Sequence, residues 1–216
     1  MSSSSPPPRF LRTALWGMLV LVILAVSVTA LMSRTWLKES LRGSQALPVL
    51  GSVPNFELVN RDGRPISRDD LEGKPWVADF IFTSCKVSCP VMTTRMADLS
   101  QKLATDRLRW VSISVDPDND TPEVLAAYAK KFDAADSWLF LTGKTEEIYP
   151  LVRDGFRLGV AVADPSEPGS ALEPISHSTR FVLVDSESQI RGYYDAFDPA
   201  SLNRLAADLG RLVPRR

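Results

Sequence analysis

The sequence predicts an α/β domain carried behind an N-terminal transmembrane helix. Three observations predict it. Residues 14–32 run without a charge. From about residue 53 onward, apolar β-branched runs alternate with stretches of helical spacing. The only two cysteines, Cys85 and Cys89, stand together where one such run gives way to a helix.

The N-terminus comes first in chain order. Met1–Pro8 is rich in Ser and Pro, so residues 1–13 read as a disordered segment. Ala14–Met32 follows, nineteen residues with no charged side chain. At about 1.5 Å per residue, such a helix nearly spans a hydrocarbon core of about 30 Å. Val28-Thr29-Ala30 could end a signal-peptide cleavage site, but signal-peptide apolar regions run about 7–15 residues, so the length favours an uncleaved anchor. Arg9 and Arg12 lie before the run, and Arg34, Lys38 and Arg42 after it, so basic residues do not fix its orientation. A single anchor ahead of a folded domain is most often N-in. The presequence also lacks the Arg-rich amphipathic character of a transit peptide. The expectation is a bacterial inner membrane with the domain in the periplasm. Residues 33–52 read as a linker and 53–216 as one domain.

Within the domain, Phe56–Val59 and Pro65–Ser67 flank Asp62-Gly63, a hairpin signal. Pro75–Phe82 is the first core strand. Met92, Met96, Leu99 and Leu103 recur at helical spacing and predict a helix from about Cys89 to Ala104, with Pro90 at its first position. Leu108–Val115 is a second strand. Asp120-Thr121-Pro122-Glu123 opens a helix reaching about Phe132. Trp138–Leu141 is a short strand, and Thr145 caps a helix through about Arg153. Phe156–Val162 is extended, and Asp164–Pro174 is a loop. Thr179–Val184 and Gln189–Tyr194 form a hairpin, and Pro199–Leu209 is a closing helix. With the cysteines at the carboxyl end of the first core strand, this order matches a thioredoxin-like sheet.

The cysteine junction carries the chemistry. A helix N-terminus offers unpaired N–H groups and partial positive charge, which favour thiolate and should lower the pKa of a cysteine there. Lys86 adds charge beside them. Thiolates attack disulfides and bind soft metals. Two of them suit Cu(I) and fall short of the four ligands of a structural zinc site. The alternative is a pair of buried, inert thiols.

His177 is the one histidine, placed between a Pro-containing loop and an apolar strand. A lone histidine is more often a packing residue than a ligand. In a thioredoxin-like topology, however, the loop before the late hairpin lies beside the cysteines. Its imidazole could complete a three-coordinate Cu(I) site with Cys85 and Cys89, or act as base to one thiol.

Phe82-Thr83-Ser84-Cys85-x-x-x-Cys89-Pro90, then Ser114-Val115-Asp116-Pro117 followed by Asp120-Thr121-Pro122, then His177 before an apolar strand, together resemble the Sco/SenC family. The resemblance covers roughly Val53 to Leu209. It implies a membrane-anchored thioredoxin fold that binds one copper, as Cu(I) or Cu(II), through Cys85, Cys89 and His177. It implies a partner in the copper A subunit of cytochrome c oxidase, whose site the copper would build. A periplasmic copper chaperone or a thioredoxin-like reductant would be further partners. The chain departs from the family at Lys86-Val87-Ser88, where Pro and an acidic residue are common, and at Ser176, where many relatives carry Asp.

The rival reading is a thiol–disulfide oxidoreductase in which Cys85 and Cys89 form a redox pair, closing to a disulfide, that keeps the copper-site cysteines of another protein reduced. A peroxidase of the same fold class would need an arginine beside its cysteine, and Arg95 and Arg180 are candidates only by residue type. Asp79, in the first core strand, could take a proton during exchange, although a polar edge or a backbone partner is the plainer expectation. Met92 and Met96 read as core. Asp116, Asp118 and Asp120 read as turn and capping residues, since a calcium loop's glycine and terminal glutamate are missing. Asp164, Glu167 and Glu173 read as a solvated loop or a docking surface. With 25 basic and 26 acidic residues the formal net charge is -1, which gives no electrostatic case for nucleic acid.

Overall fold

The computed structural model describes residues 46–103, 105–164, 166 and 174–213, together with residues 16, 18–19, 21–30 and 32. Residues 21–30 are helical, with the Thr29 hydroxyl donating to the carbonyls of Ala25 and Val26 at 2.9 and 3.0 Å. Among the described residues no helix is long and apolar enough to cross a membrane. The anchor predicted over 14–32 falls partly outside the described residues, as do the segment 1–13, residues 33–45, Glu167 and Glu173.

A separate compact unit begins at Leu47, a few residues before the predicted Val53. Its strands are β1 (Gly51–Ser52), β2 (Glu57–Asn60), β3 (Pro65–Ser67), β4 (Trp76–Ile81), β5 (Arg109–Ser114), β6 (Trp138–Thr142), β7 (Val160–Val162), β8 (Ile175–His177), β9 (Arg180–Val184) and β10 (Gln189–Asp195). Its helices are α1 (Arg68–Leu71), α2 (Ser88–Lys102), α3 (Pro122–Lys131), α4 (Thr145–Pro150) and α5 (Pro199–Leu212). Eight strands form one mixed sheet in the order β1-β10-β9-β4-β5-β6-β2-β3, and β7 and β8 form a separate two-stranded ribbon.

The centre of the sheet is β4. Every residue of Trp76–Ile81 is buried, as a strand covered on both faces requires. It pairs in parallel with β5, Asp79 opposite Ser112, and antiparallel with β9. The crossovers β4-α2-β5 and β5-α3-β6 link neighbouring parallel strands in one direction, so the right-handed rule sets α2 and α3 on the same face. The 2.8 Å bond between the hydroxyls of Thr93 on α2 and Tyr128 on α3 agrees. On the other face, the Phe156 ring meets Trp76 and Phe80 edge-on, with centroids 6.0 and 5.0 Å apart. Strand alternation then turns Asp79 away from Phe156 and toward the helical face.

Three local expectations change. The helix over Thr145–Arg153 takes Lys144, not Thr145, as its capping position, and it ends at Pro150. Pro150 has no N–H to donate back, and the chain continues as a π-helical turn, Leu151–Gly155. The Phe156 N–H then reaches back five residues to the Leu151 carbonyl at 2.8 Å, which sets the Phe156 ring against β4. Only Val160–Val162 of the stretch expected to be extended is a strand, and Arg157 sits at φ 55°. The predicted Asp62-Gly63 turn is present, with Gly63 at φ +81° where a side chain would be strained.

Candidate metal centre

The carboxyl ends of β4 and β5 lie side by side, and the functional residues gather there. Beyond Ile81, the chain turns back through Phe82-Thr83-Ser84-Cys85, closed by the Cys85 N–H donating to the Phe82 carbonyl at 3.2 Å. It enters α2 at Ser88, so Cys89 is the second helical residue and Pro90 the third rather than the first. Pro90 still costs no helical bond, because it lies within the first turn. The capping position is Val87, which has no side chain able to accept a hydrogen bond. Cys85 supplies the acceptor instead: the Cys89 N–H points at Cys85 Sγ at 3.3 Å. A sulfur thus stands where a capping oxygen usually does.

Cys89 is fully buried, and its sulfur lies 3.5 Å from the Phe82 N–H and 3.2 Å from Nε2 of His177. Cys85 is 4% exposed, with Sγ 3.5 Å from the Ser88 hydroxyl. His177 arrives from another part of the chain. It ends β8, opposite Val160 of β7, rather than sitting in a loop. Its ring meets Phe82 edge-on at 5.5 Å and lines a cleft of about 540 Å³ with Arg157, Val160 and Arg180. The three ligand atoms lie within 4.8 Å of one another.

The histidine's tautomer follows from its second nitrogen. Nδ1 lies 3.1 Å from the Ser178 carbonyl, which can only accept. In the neutral ring Nδ1 therefore carries the proton, and the Nε2 lone pair faces Cys89. That is the form that binds a metal. Two sulfurs and one imidazole nitrogen make a soft donor set suited to copper, and this orientation fits it.

The two thiols are driven apart in acidity. The pKa of Cys85 falls, mainly because the Cys89 side chain hydrogen-bonds to it; burial opposes this, while His177, Ser88 and the Cys89 N–H add to the fall. The pKa of Cys89 rises, because it donates to Cys85 and because it is buried. The expected drop at a helix N-terminus therefore applies to the cysteine ahead of the helix and not to the one inside it. Burial and the neighbouring thiolate outweigh the helix end at Cys89.

Asp79 does not find the polar edge or backbone partner expected of it. It is fully buried, and neither carboxylate oxygen has a hydrogen-bond partner among the described residues. Burial pushes its pKa up to about 7, with Ser112 and His177 pulling the other way. Met92 and Met96 are fully buried core residues. Arg95, Arg180, Asp118 and Asp164 are exposed, and Arg180 stands on the rim of the His177 cleft. Asp116 accepts from the Asn119 amide at 2.9 and 3.0 Å, a turn role. Asp120 is different: it is fully buried and reaches the cysteine turn. Ser88, marked in the sequence only as part of the Lys86-Val87-Ser88 departure, lies against Cys85 Sγ, and the Ser178 carbonyl, which went unmarked, matters only through where the fold puts it.

Comparison with known proteins agrees with this geometry. Residues 48–213 match the SCO1/SenC family. The SCO1 protein homolog of Bacillus subtilis is 32% identical over 166 residues, 75% of this chain and 83% of that protein. A protein of Stutzerimonas stutzeri named for copper binding is 30% identical over 173 residues, 77% of this chain and 79% of its own. The solved structure of BsSco superposes with a TM-score of 0.66 at 31% identity, covering 80% of this chain and 100% of that one. BsSco is described as having a disulfide switch and as belonging to the Sco family of cytochrome c oxidase assembly proteins. The mixed α/β unit is thus the thioredoxin-like domain of that group, and the chain belongs to the SCO1/SenC family.

Proposed function

We propose that this protein is a copper carrier, holding one copper ion through Cys85, Cys89 and His177 and passing it to the copper A subunit of cytochrome c oxidase. The observation that carries the reading is the convergence of both cysteines and the single histidine within 4.8 Å, with the free Nε2 lone pair turned toward the sulfurs. A soft two-sulfur, one-nitrogen set holds Cu(I) with three ligands, so an incoming thiolate of the client can add before a ligand leaves. The copper-binding relative and the oxidase-assembly role described for BsSco support the same reading. Residues 14–32 anchor the chain in the bacterial inner membrane, the stretch between them and Leu47 acts as linker, and the domain works in the periplasm, where another copper chaperone loads it. The uncharged length of 14–32 supports this placement.

The divided acidity of the cysteines favours a second reading, a thiol–disulfide oxidoreductase. Cys85, the thiolate, attacks a disulfide of the client and forms a mixed disulfide. Cys89 then loses its proton and attacks Cys85 Sγ. The client leaves as a dithiol, two electrons richer, and Cys85–Cys89 remains as a disulfide for a thioredoxin-like reductant to reopen.

Anaerobic Cu(I) titration of the full-length chain in detergent, against a chromogenic chelator, separates the two readings. One-to-one binding that weakens at least tenfold in His177→Ala supports the carrier. Binding no tighter than that of a simple dithiol, unchanged in His177→Ala, overturns it and leaves the redox reading.

A further inference from the structure

We infer that Asp120 is a positioning residue for the copper site: its buried carboxylate fastens the turn that carries Cys85 to the end of β5, and so fixes where the Cys85 sulfur sits against Cys89 and His177. The inference deepens the copper reading and rests on it.

Asp120 lies 37 residues from Thr83 in sequence and is fully buried. The Thr83 N–H lies 3.3 and 3.1 Å from its two oxygens, and the Thr83 hydroxyl donates to Oδ1 at 2.5 Å. The Ser114 hydroxyl donates to Oδ2 at 2.6 Å. Ser114 Oγ in turn accepts from the Asp116 N–H at 3.0 Å, and the Asp120 N–H closes back on the Asp116 carbonyl at 2.9 Å. One carboxylate therefore joins three segments: the exit of β4, the end of β5 and the entry to α3. Thr83 is the second residue of the Phe82–Cys85 turn, and Cys85 is its last. Gripping Thr83 by both backbone and side chain removes the freedom by which that turn could rotate.

The arrangement has a ligand-setting consequence. Cys89 is held by a helix and His177 by a ribbon, whereas Cys85 hangs on a four-residue turn. A metal site is only as well formed as its least fixed ligand, and partners that orient ligands affect affinity nearly as much as the ligands do. A buried carboxylate is costly unless it is bonded, and every bond described for its oxygens comes from Thr83 or Ser114. The sequence pattern Ser114-x-x-x-x-x-Asp120 thus serves the Cys85 turn and not only the start of α3.

The test uses the full-length chain as wild type, Asp120→Asn, Thr83→Val and, as a destabilised control, Leu205→Ala in the core under α5. Three quantities are read: Cu(I) affinity by chelator competition, the Cys85–Cys89 reduction potential in glutathione buffers, and Tm. The expected result is an affinity about tenfold lower in Asp120→Asn, a smaller loss in Thr83→Val, and a shifted potential in both. Leu205→Ala should lose Tm but keep affinity and potential. The inference is overturned if Asp120→Asn and Thr83→Val match wild type in affinity and potential, or if Leu205→Ala loses as much of both as Asp120→Asn. If Asp120→Asn does not fold, Thr83→Val decides by the same criteria. If wild type itself fails to bind Cu(I), the copper reading falls, and the potential alone decides on Asp120: a shift supports its positioning role and no shift refutes it.

Discussion

Three helices in this domain begin in two different ways. α3 starts conventionally: the Thr121 hydroxyl accepts from the Val124 N–H at 3.4 Å, Pro122 takes the first position, and Glu123 follows in the first turn. α5 does the same with Asp198, which accepts from the N–H groups of Ala200 and Ser201 at 2.9 and 3.1 Å, and with Pro199. α2 has Val87 where the cap should be and no acidic residue in its first turn. Its Cys89 N–H is left to Cys85 Sγ. At α3 and α5, which only need to start, a side-chain oxygen caps the helix. Where the chemistry sits, the cap is withheld and a thiolate receives the donor and the helix's partial charge.

Cys85→Ser breaks that contrast most severely. It returns an oxygen to the start of α2 and removes a ligand. Cu(I) affinity should fall by more than about 100-fold, beyond what the loss of a ligand's supporting partner costs. Tm of the metal-free protein should hardly move. Retention of tight binding, measured by chelator competition, would mean that Cys85 is not a ligand.

A second large effect, on stability rather than affinity, lies beneath the site, in Asp79. Its pKa is raised by burial from 3.8 to about 7, so the folded state holds the proton more tightly than the unfolded chain does. The sign follows: below pH 4 both states are protonated and nothing is lost. Stability then falls as pH rises toward 7, by at most about 4 kcal/mol at about 1.4 kcal/mol per pK unit. Urea unfolding of wild type and Asp79→Asn from pH 4 to pH 8 isolates this contribution from the thiols. The variant should gain on wild type as pH rises, and a constant difference across that range would refute the burial argument.

A carboxylate can also be placed at the start of α2. Val87 is 50% exposed, so Val87→Asp sacrifices little burial. Its carboxylate would compete for the N–H donors and repel the thiolate, so the pH profile of Cys85 alkylation, followed by mass spectrometry, should move to higher pH. An unmoved profile would show that the helix end does not control Cys85. The smallest expected effect is Thr121→Ala on α3. It should cost about 1 kcal/mol of stability and leave Cu(I) affinity unchanged. A loss of affinity there would tie the cap of α3 to the site through the adjacent Asp120.

The same contrast marks what the sequence revealed and what it hid. The strand, the cysteine junction and the start of α3 are written in neighbouring residues, and each was legible; the Asp198 cap of α5, equally local, was not marked. His177 was legible because it is the only histidine. What escaped depends on contacts made across the chain. Asp120 looks like any turn aspartate until Thr83, 37 residues away, is beside it. The acidity of Cys89 turns on burial and on the neighbouring sulfur, which outweigh the helix end. The π-helical turn after Pro150 could be suspected from the proline, but its role in setting Phe156 against Trp76 and Phe80 could not.

His177 sits on a ribbon that is not part of the main sheet, 88 residues beyond Cys89. Any ion bridging the two is a cross-link, and it closes a ring of that length. Carrying such a ring into the unfolded chain costs what closing a long loop costs, and opening it forfeits the ion's binding, a mass-action stabilisation of the folded form. Cargo and fold are thereby coupled. On the proposed carrier reading, the loaded protein should resist denaturant and proteolysis more than the empty one, and a client that takes the ion would also undo the ring.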